Sequence, residues 1–237
     1  MDRGPYGPEV CLYLLALKIK FPNDIIMLRG NHESREMTQQ FNFYDQMTSF
    51  YDVELYDMLM DCFDLLPISC LVCNQYLCMH GGISRHMTSL KSINEVDRRM
   101  EPPEEGLLCD MLWADPADSK KCGRDWTFNE KRCISVVFGR RPLTQLLEKE
   151  NLKCIIRAHE VKQKGYKFHL WHGKDEFPPV ITVFSAPNYS NSDNQASVLI
   201  TDGENVDIRT FAERKDKPFM KYYLKYTVVV HANLYYF

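Results

Sequence analysis

Apolar positions along this chain alternate between helical spacing and short continuous runs, and the switches mark its elements. Gly7-Pro8 opens a helix with proline in the first turn, and Val10, Tyr13, Leu14 and Leu17 recur at helical spacing until Pro22 ends it. Ile25-Ile26-Met27-Leu28 reads as a buried strand running into the polar stretch Arg29-Gly30-Asn31-His32-Glu33. Residues 36–63 return to helical spacing, with Val53, Tyr56, Leu59, Met60 and Phe63 on one apolar face and Asp52 as its N-cap. Residues 68–73 and 76–79 read as a hairpin around Asn74-Gln75.

Downstream the pattern predicts a short helix at 90–96, a loop at 101–106 and a charged connector holding Lys120, Lys121, Arg124, Lys131 and Arg132. A helix at 142–150 precedes a strand at 154–156, followed by strands at 180–184, 196–200 and 206–211, the last two around Asp202-Gly203. Residues 226–230 are also strand-like. This mixture is an α/β pattern, and without an internal repeat or linker it reads as one domain.

Composition narrows the class. Of the 237 residues, 45% are hydrophobic and 26% charged, ordinary for a globular protein. The net charge of −3 gives no sign of a nucleic-acid partner. No apolar run approaches the roughly 18 residues that span a bilayer, and the first residues lack the apolar core of a signal peptide, so no membrane contact and a cytoplasmic location are expected. Nine cysteines, an odd number scattered among the elements, read as reduced thiols. Cys70-Leu71-Val72-Cys73 has no second C-x-x-C pair, and Cys78 reads as a small core hydrophobe rather than a zinc ligand.

Three of the seven histidines follow apolar runs directly: His32 beside Asn31, His80 before Gly81-Gly82, and His159. Equivalent positions at strand ends point to one shared site, and glycine there lets backbone approach a ligand closely. Neutral imidazole and amide oxygen suit Mn, Fe or Zn. The one carboxylate near these stretches is Asp2.

Six motifs in order then carry a resemblance. They are Asp2-Arg3-Gly4, Leu28-Arg29-Gly30-Asn31-His32-Glu33, His80-Gly81-Gly82, Leu112-Trp113-Ala114-Asp115-Pro116, Arg157-Ala158-His159-Glu160 and Ser185-Ala186-Pro187-Asn188-Tyr189. The chain resembles the metal-dependent serine/threonine protein phosphatases of the phosphoprotein phosphatase family, and within it the calcineurin type. The resemblance implies an α/β metallophosphoesterase fold, a central β-sandwich of mixed sheets flanked by helices. Residues 1–211 would form the catalytic domain and 212–237 a divergent tail. Asn31, His80 and His159 would be metal ligands, and His32 the general acid oriented by Asp2. Arg3 and Arg132 would clamp phosphate and Tyr189 line the cleft, while Asp115 reads as a loop cap. The implied cofactors are divalent ions, Fe/Zn or Mn, generating hydroxide for direct attack on phosphorus.

The family's two aspartate motifs that would precede Asp2 have no counterpart here. The fold is therefore expected to lack its N-terminal strands, and the site to hold one weakly bound metal without the bridging aspartate. Three readings follow: a piece of an active phosphatase acting on phosphoproteins, an inactive binding protein, or a phosphoesterase for small molecules. For the second, the strand Val206–Phe211 resembles an edge that pairs with extended peptides. The helix that seats a calcium-binding regulatory subunit has no counterpart after Phe211, so that partner is not expected.

Overall fold

Side chains alternate across the strands, and that alternation sets the layers. The computed structural model describes residues 1–118, 123–171 and 177–215. Strand β1 (Ser69–Val72) pairs antiparallel with β2 (Tyr76–Met79), the expected hairpin, and β2 pairs parallel with β6 (Cys154–Arg157). β6 pairs parallel with β8 (Val180–Val183), and β7 (Tyr166–Phe168) closes the sheet antiparallel, giving the order β1-β2-β6-β8-β7.

Leu77 and Met79 of β2, Ile155 of β6 and Val180 of β8 face one core, under α5 (Leu90–Asn94), α6 (Leu107–Trp113) and α7 (Arg140–Lys149). Tyr76, Cys154 and Ile181 face another, covered by Leu199, Val206 and Ile208 of the antiparallel pair β9 (Ala196–Thr201) and β10 (Val206–Phe211). Neighbouring residues of one strand serve opposite cores, as the pleat requires. A small sheet, β3 (Asp115–Pro116), β5 (Val136–Phe138) and β4 (Trp126–Phe128), adds to the first layer. The expected stack of mixed sheets with flanking helices is present.

A separate helical core joins α1 (Gly7–Lys20), α3 (Phe43–Phe50) and α4 (Val53–Leu65) through Cys11, Phe43, Met47, Tyr56, Leu59, Met60 and Phe63. Asp52 caps α4 as expected, accepting from the Leu55 amide at 2.7 Å. Val53 departs from the expected apolar face: it sits in the first turn and is half exposed. The short helix α2 (Arg35–Gln40) follows the polar stretch after Leu28. No helix among the described residues is long and apolar enough to cross a membrane.

The largest correction concerns residues 25–28, expected as a buried strand. They run as irregular chain without a strand partner among the described residues, and Ile26 projects outward. An apolar run becomes a strand only by hydrogen-bonding to a neighbour; here the Ile25 carbonyl is taken by Lys18 Nζ at 2.8 Å instead. Helix α6 and strands β4, β5 and β7 went unread, because three to seven residues are too few to show a period. Lys120, Lys121, the strand-like 226–230 and the tail from 216 lie outside the described residues.

His169 gives this fold an acid sensitivity. It is buried, with Nε2 2.9 Å from the Thr182 hydroxyl oxygen. Burial, with Lys167, Lys162 and Arg157 nearby and only Glu160 opposing, pushes its pKa down to about 3. Above about pH 6.5 neither state holds this proton, and stability is full. As pH falls below that value the unfolded chain gains a proton the folded chain refuses, and stability drains away until about pH 3. His169→Gln is therefore expected to flatten the pH dependence of unfolding by about 2 kcal/mol between pH 7 and 5. Parallel urea-unfolding curves for the two proteins across that range would refute it.

Candidate active site

Two fully buried arginines prepare the loops that carry the site. Arg29 donates to the carbonyls of Glu33 (3.0 Å) and Arg98 (2.6 Å) and to Asp64 (2.7 Å). With the Gly30 amide on Glu33 Oε2 at 2.7 Å, this folds residues 29–33 into a tight loop. A Cβ on Gly30 would lie 2.7 Å from His80 Nδ1, so only glycine lets the loop approach that ring.

His32 leaves this loop toward the N-terminal segment. Its Nδ1 lies 2.6 Å from Asp2 Oδ2, while Asp2 Oδ1 accepts from the Phe43 amide at 3.1 Å. Arg3, in a left-handed conformation (φ 67°), donates its amide to Asn42 Oδ1 at 2.9 Å. Its guanidinium carbon sits 4.1 Å over the Phe41 ring and 5.8 Å from the Tyr189 ring, and the Phe41 ring is 5.1 Å from His32. The corner 41–43 thus holds both Asp2 and Arg3.

The parallel neighbours β2 and β6 deliver the other two histidines side by side. His80 Nε2 and His159 Nδ1 are 3.1 Å apart, and His159 takes a left-handed backbone (φ 63°), a strained geometry typical of sites. Burial, aided by Arg157, His32 and Arg132, drives His80 down to about 3; His159 is driven well below its ordinary value for the same main reason. Both are neutral imidazoles at neutral pH.

Beneath them lies an ion-pair network. Arg157 donates to the Gly81 and Ala114 carbonyls, to Asp115 (2.8 Å) and to Glu160 (3.0 Å). Asp115 also accepts from Arg132 Nε and Asn129, each at 3.0 Å, and Arg132 Nη2 reaches the His159 carbonyl at 3.1 Å. Asp115 is therefore no loop cap: it is a buried carboxylate between two guanidiniums, which together outweigh its burial and hold it below its ordinary range. Glu160 Oε1 accepts Lys131 and Lys162, and burial keeps the Lys162 ammonium below its ordinary value.

His32, His80, His159, Asp2, Arg3, Arg132 and Tyr189 lie within electrostatic reach of one another, and Asn31 sits between Gly30, which abuts the His80 ring, and His32. The charges of Arg3, Asp2 and Arg132 act on the Tyr189 hydroxyl, which burial pushes up, and those of His32 and Arg132 act on both His80 and His159. Sequence reading missed the anchoring roles of Arg29, Arg157 and Phe41. A signal existed for Arg157: an arginine ending the apolar run Cys154-Ile155-Ile156 is buried only if paired.

Residues 1–163 match the family described as calcineurin-like phosphoesterase. The chain belongs to that family. It is 37% identical over 222 residues to the Saccharomyces cerevisiae serine/threonine-protein phosphatase 2B catalytic subunit A1, covering 89% of this chain and 40% of that protein. It therefore spans well under half the length of that relative. A solved S. cerevisiae protein serine/threonine phosphatase, with similarity to human phosphatase PP5, superposes with a TM-score of 0.80 at 32% identity. That match covers 92% of this chain and 69% of the other, and it bears out the metallophosphoesterase fold. A cold-active protein tyrosine phosphatase (TM-score 0.50, 18% identity, 89% and 65% covered) shares the fold alone.

The residues fit the divalent ions of a metallophosphoesterase. Asn31 Oδ1 and His159 Nε2 are buried polar atoms with no hydrogen-bond partner, and the His159 ring lies 4.9 Å from the neutral imidazole of His80. The donor set is neutral: among the described residues, no three His, Cys, Asp or Glu side chains gather at one point.

Proposed function

We propose that this chain is part of a serine/threonine protein phosphatase, hydrolysing phosphoserine and phosphothreonine in proteins. The observation that carries the reading is the Asp2–His32 pair, at 2.6 Å, poised beside two neutral imidazoles and an unpartnered amide oxygen. Asn31, His80 and His159 would hold a divalent ion, with Mn, Fe or Zn suited to such donors. A bound ion supplies Lewis acidity toward a phosphoryl oxygen and acidifies water. Arg3 and Arg132 grip the phosphate, and the stacking of Arg3 on Phe41 limits the freedom lost in doing so. His32 gives its proton to the departing serine or threonine oxygen, and Asp2 fixes the ring for that transfer. Tyr189 closes the cleft beside Arg3.

The test is turnover of a phosphothreonine peptide against a dinucleotide polyphosphate, with Mn²⁺ present and after chelation. Peptide turnover that vanishes on chelation and returns with metal is expected. Turnover of the dinucleotide alone overturns the reading. In parallel, saturating Mn²⁺ is expected to raise the melting temperature, and Asn31→Ala to abolish that shift; an undiminished shift in the variant would remove Asn31 from the ligand set.

One edge of β10 pairs with β9, and the other has no partner among the described residues. This edge supports a second role for Val206–Phe211, pairing with extended segments of partner proteins.

A further inference from the structure

Glu160 carries more positive charge than it can balance. Arg132, Arg157, Lys131 and Lys162 form one connected network with only two carboxylates, Asp115 and Glu160, so two positive charges remain in excess. The buried half belongs to the scaffold: Arg157 spans Asp115 and Glu160 Oε2. The outer half differs. Lys131 and Lys162 come from separate loops, yet both ammoniums rest on the same oxygen, Glu160 Oε1, at 3.4 and 3.1 Å. The Lys131 side chain is 65% exposed and adjoins Arg132 in sequence, while Lys162 follows His159 by three residues. Lys164 and Lys167, exposed on the same stretch, add charge of the same sign.

Lys131, 65% exposed, and Lys162, 16% exposed, share one carboxylate oxygen next in sequence to His159, and two ammoniums on one oxygen have capacity for another anion. We propose that Lys131 and Lys162 form a subsite for a second negative group on the substrate, the carboxylate of an acidic residue or a second phosphate. The proposal rests on the reading above, in which Arg132 grips the first phosphate. Consecutive Cα atoms lie about 3.8 Å apart, and an extended peptide advances about 3.3 Å per residue. Because Lys131 adjoins Arg132 in sequence, the second anion is placed close to the phosphorylated residue along the peptide. The substrates are acidic or multiply phosphorylated segments. A merely solvated basic loop has no reason to bring lysines from two loops onto one oxygen beside His159.

The experiment uses the full chain and fluorescence anisotropy at low ionic strength. Three phosphothreonine peptides carry Gln, Glu or phosphoserine two residues to either side. Relative to the Gln peptide, the Glu peptide is expected to bind about threefold and the phosphoserine peptide about tenfold more tightly, ratios that added salt erases. The Lys131→Gln, Lys162→Gln double variant collapses both ratios toward one, and Lys131→Gln alone reduces them. Because Glu160 keeps Arg157, neither variant strands a buried charge. A greater gain for phosphoserine than for Glu follows the larger charge of a second phosphate, and equal gains show that a single negative charge satisfies the two lysines. Equal affinities for all three peptides, or ratios that survive the double variant, overturn the proposal. Turnover of the same peptides separates the two claims. Hydrolysis without an affinity ratio sinks the subsite alone, and a ratio without hydrolysis sinks the phosphatase reading alone.

Discussion

His32→Asn is expected to lower kcat on a phosphothreonine peptide by about two to four powers of ten, the usual contribution of a positioned acid. The effect follows from what the ring does: Nδ1 is held by Asp2 at 2.6 Å, leaving Nε2 to face the leaving oxygen. Asparagine retains a hydrogen-bonding side chain of similar reach, so metal content and melting temperature should hold. A phosphate ester with an acidic phenol as leaving group needs little protonation, so its turnover should fall far less. Asp2→Asn should slow the same step, and the double variant should be little worse than His32→Asn alone, because the two act as a unit. An equal loss on both ester types, accompanied by loss of metal, would make His32 a ligand rather than the acid.

Arg157→Met is expected to destabilise the chain by about 3–5 kcal/mol, the cost of removing one partner from a buried charge network. Four acceptors depend on that guanidinium: the Gly81 and Ala114 carbonyls, Asp115 and Glu160. The carboxylates keep Arg132 and the two lysines, but the carbonyls lose a donor they cannot replace from solvent. Arg157→Lys should recover only a minor share, since a point charge cannot serve acceptors spread around a planar fork. Urea unfolding checks both. A loss below about 1 kcal/mol for Arg157→Met would show that the network contributes little beyond a surface pair.

The parts of this molecule legible in its sequence were those with a period or a motif. The 76–79 strand and its hairpin, the capped helix after Asp52 and the 206–211 strand all lie where apolar spacing put them. The meeting of His80 and His159 was legible because each stands where a polar motif interrupts an apolar run. What stayed hidden depends on contacts distant in sequence. Residues 25–28 carry a strand's composition, yet a strand is a relation between two chains and no period reveals a missing neighbour. Asp115 read as a cap because nothing nearby in sequence discloses that Arg132 and Arg157 will meet across it. Phe41 gave no signal in the sequence, although its ring packs against both His32 and Arg3.

The corner at residues 41–43 makes readiness for chemistry a local equilibrium. Asp2 splits its two oxygens between His32 and the Phe43 amide, and Arg3 hangs from Asn42 and Phe41. Detaching Asp2 and Arg3 from this corner would free the proposed acid from its carboxylate and the proposed clamp from its ring together, while the sheet and its two cores stay intact. Such local opening costs far less than global unfolding. Under the proposed function, the fraction of molecules competent for turnover follows how often this corner is latched, a quantity to which a melting curve is blind.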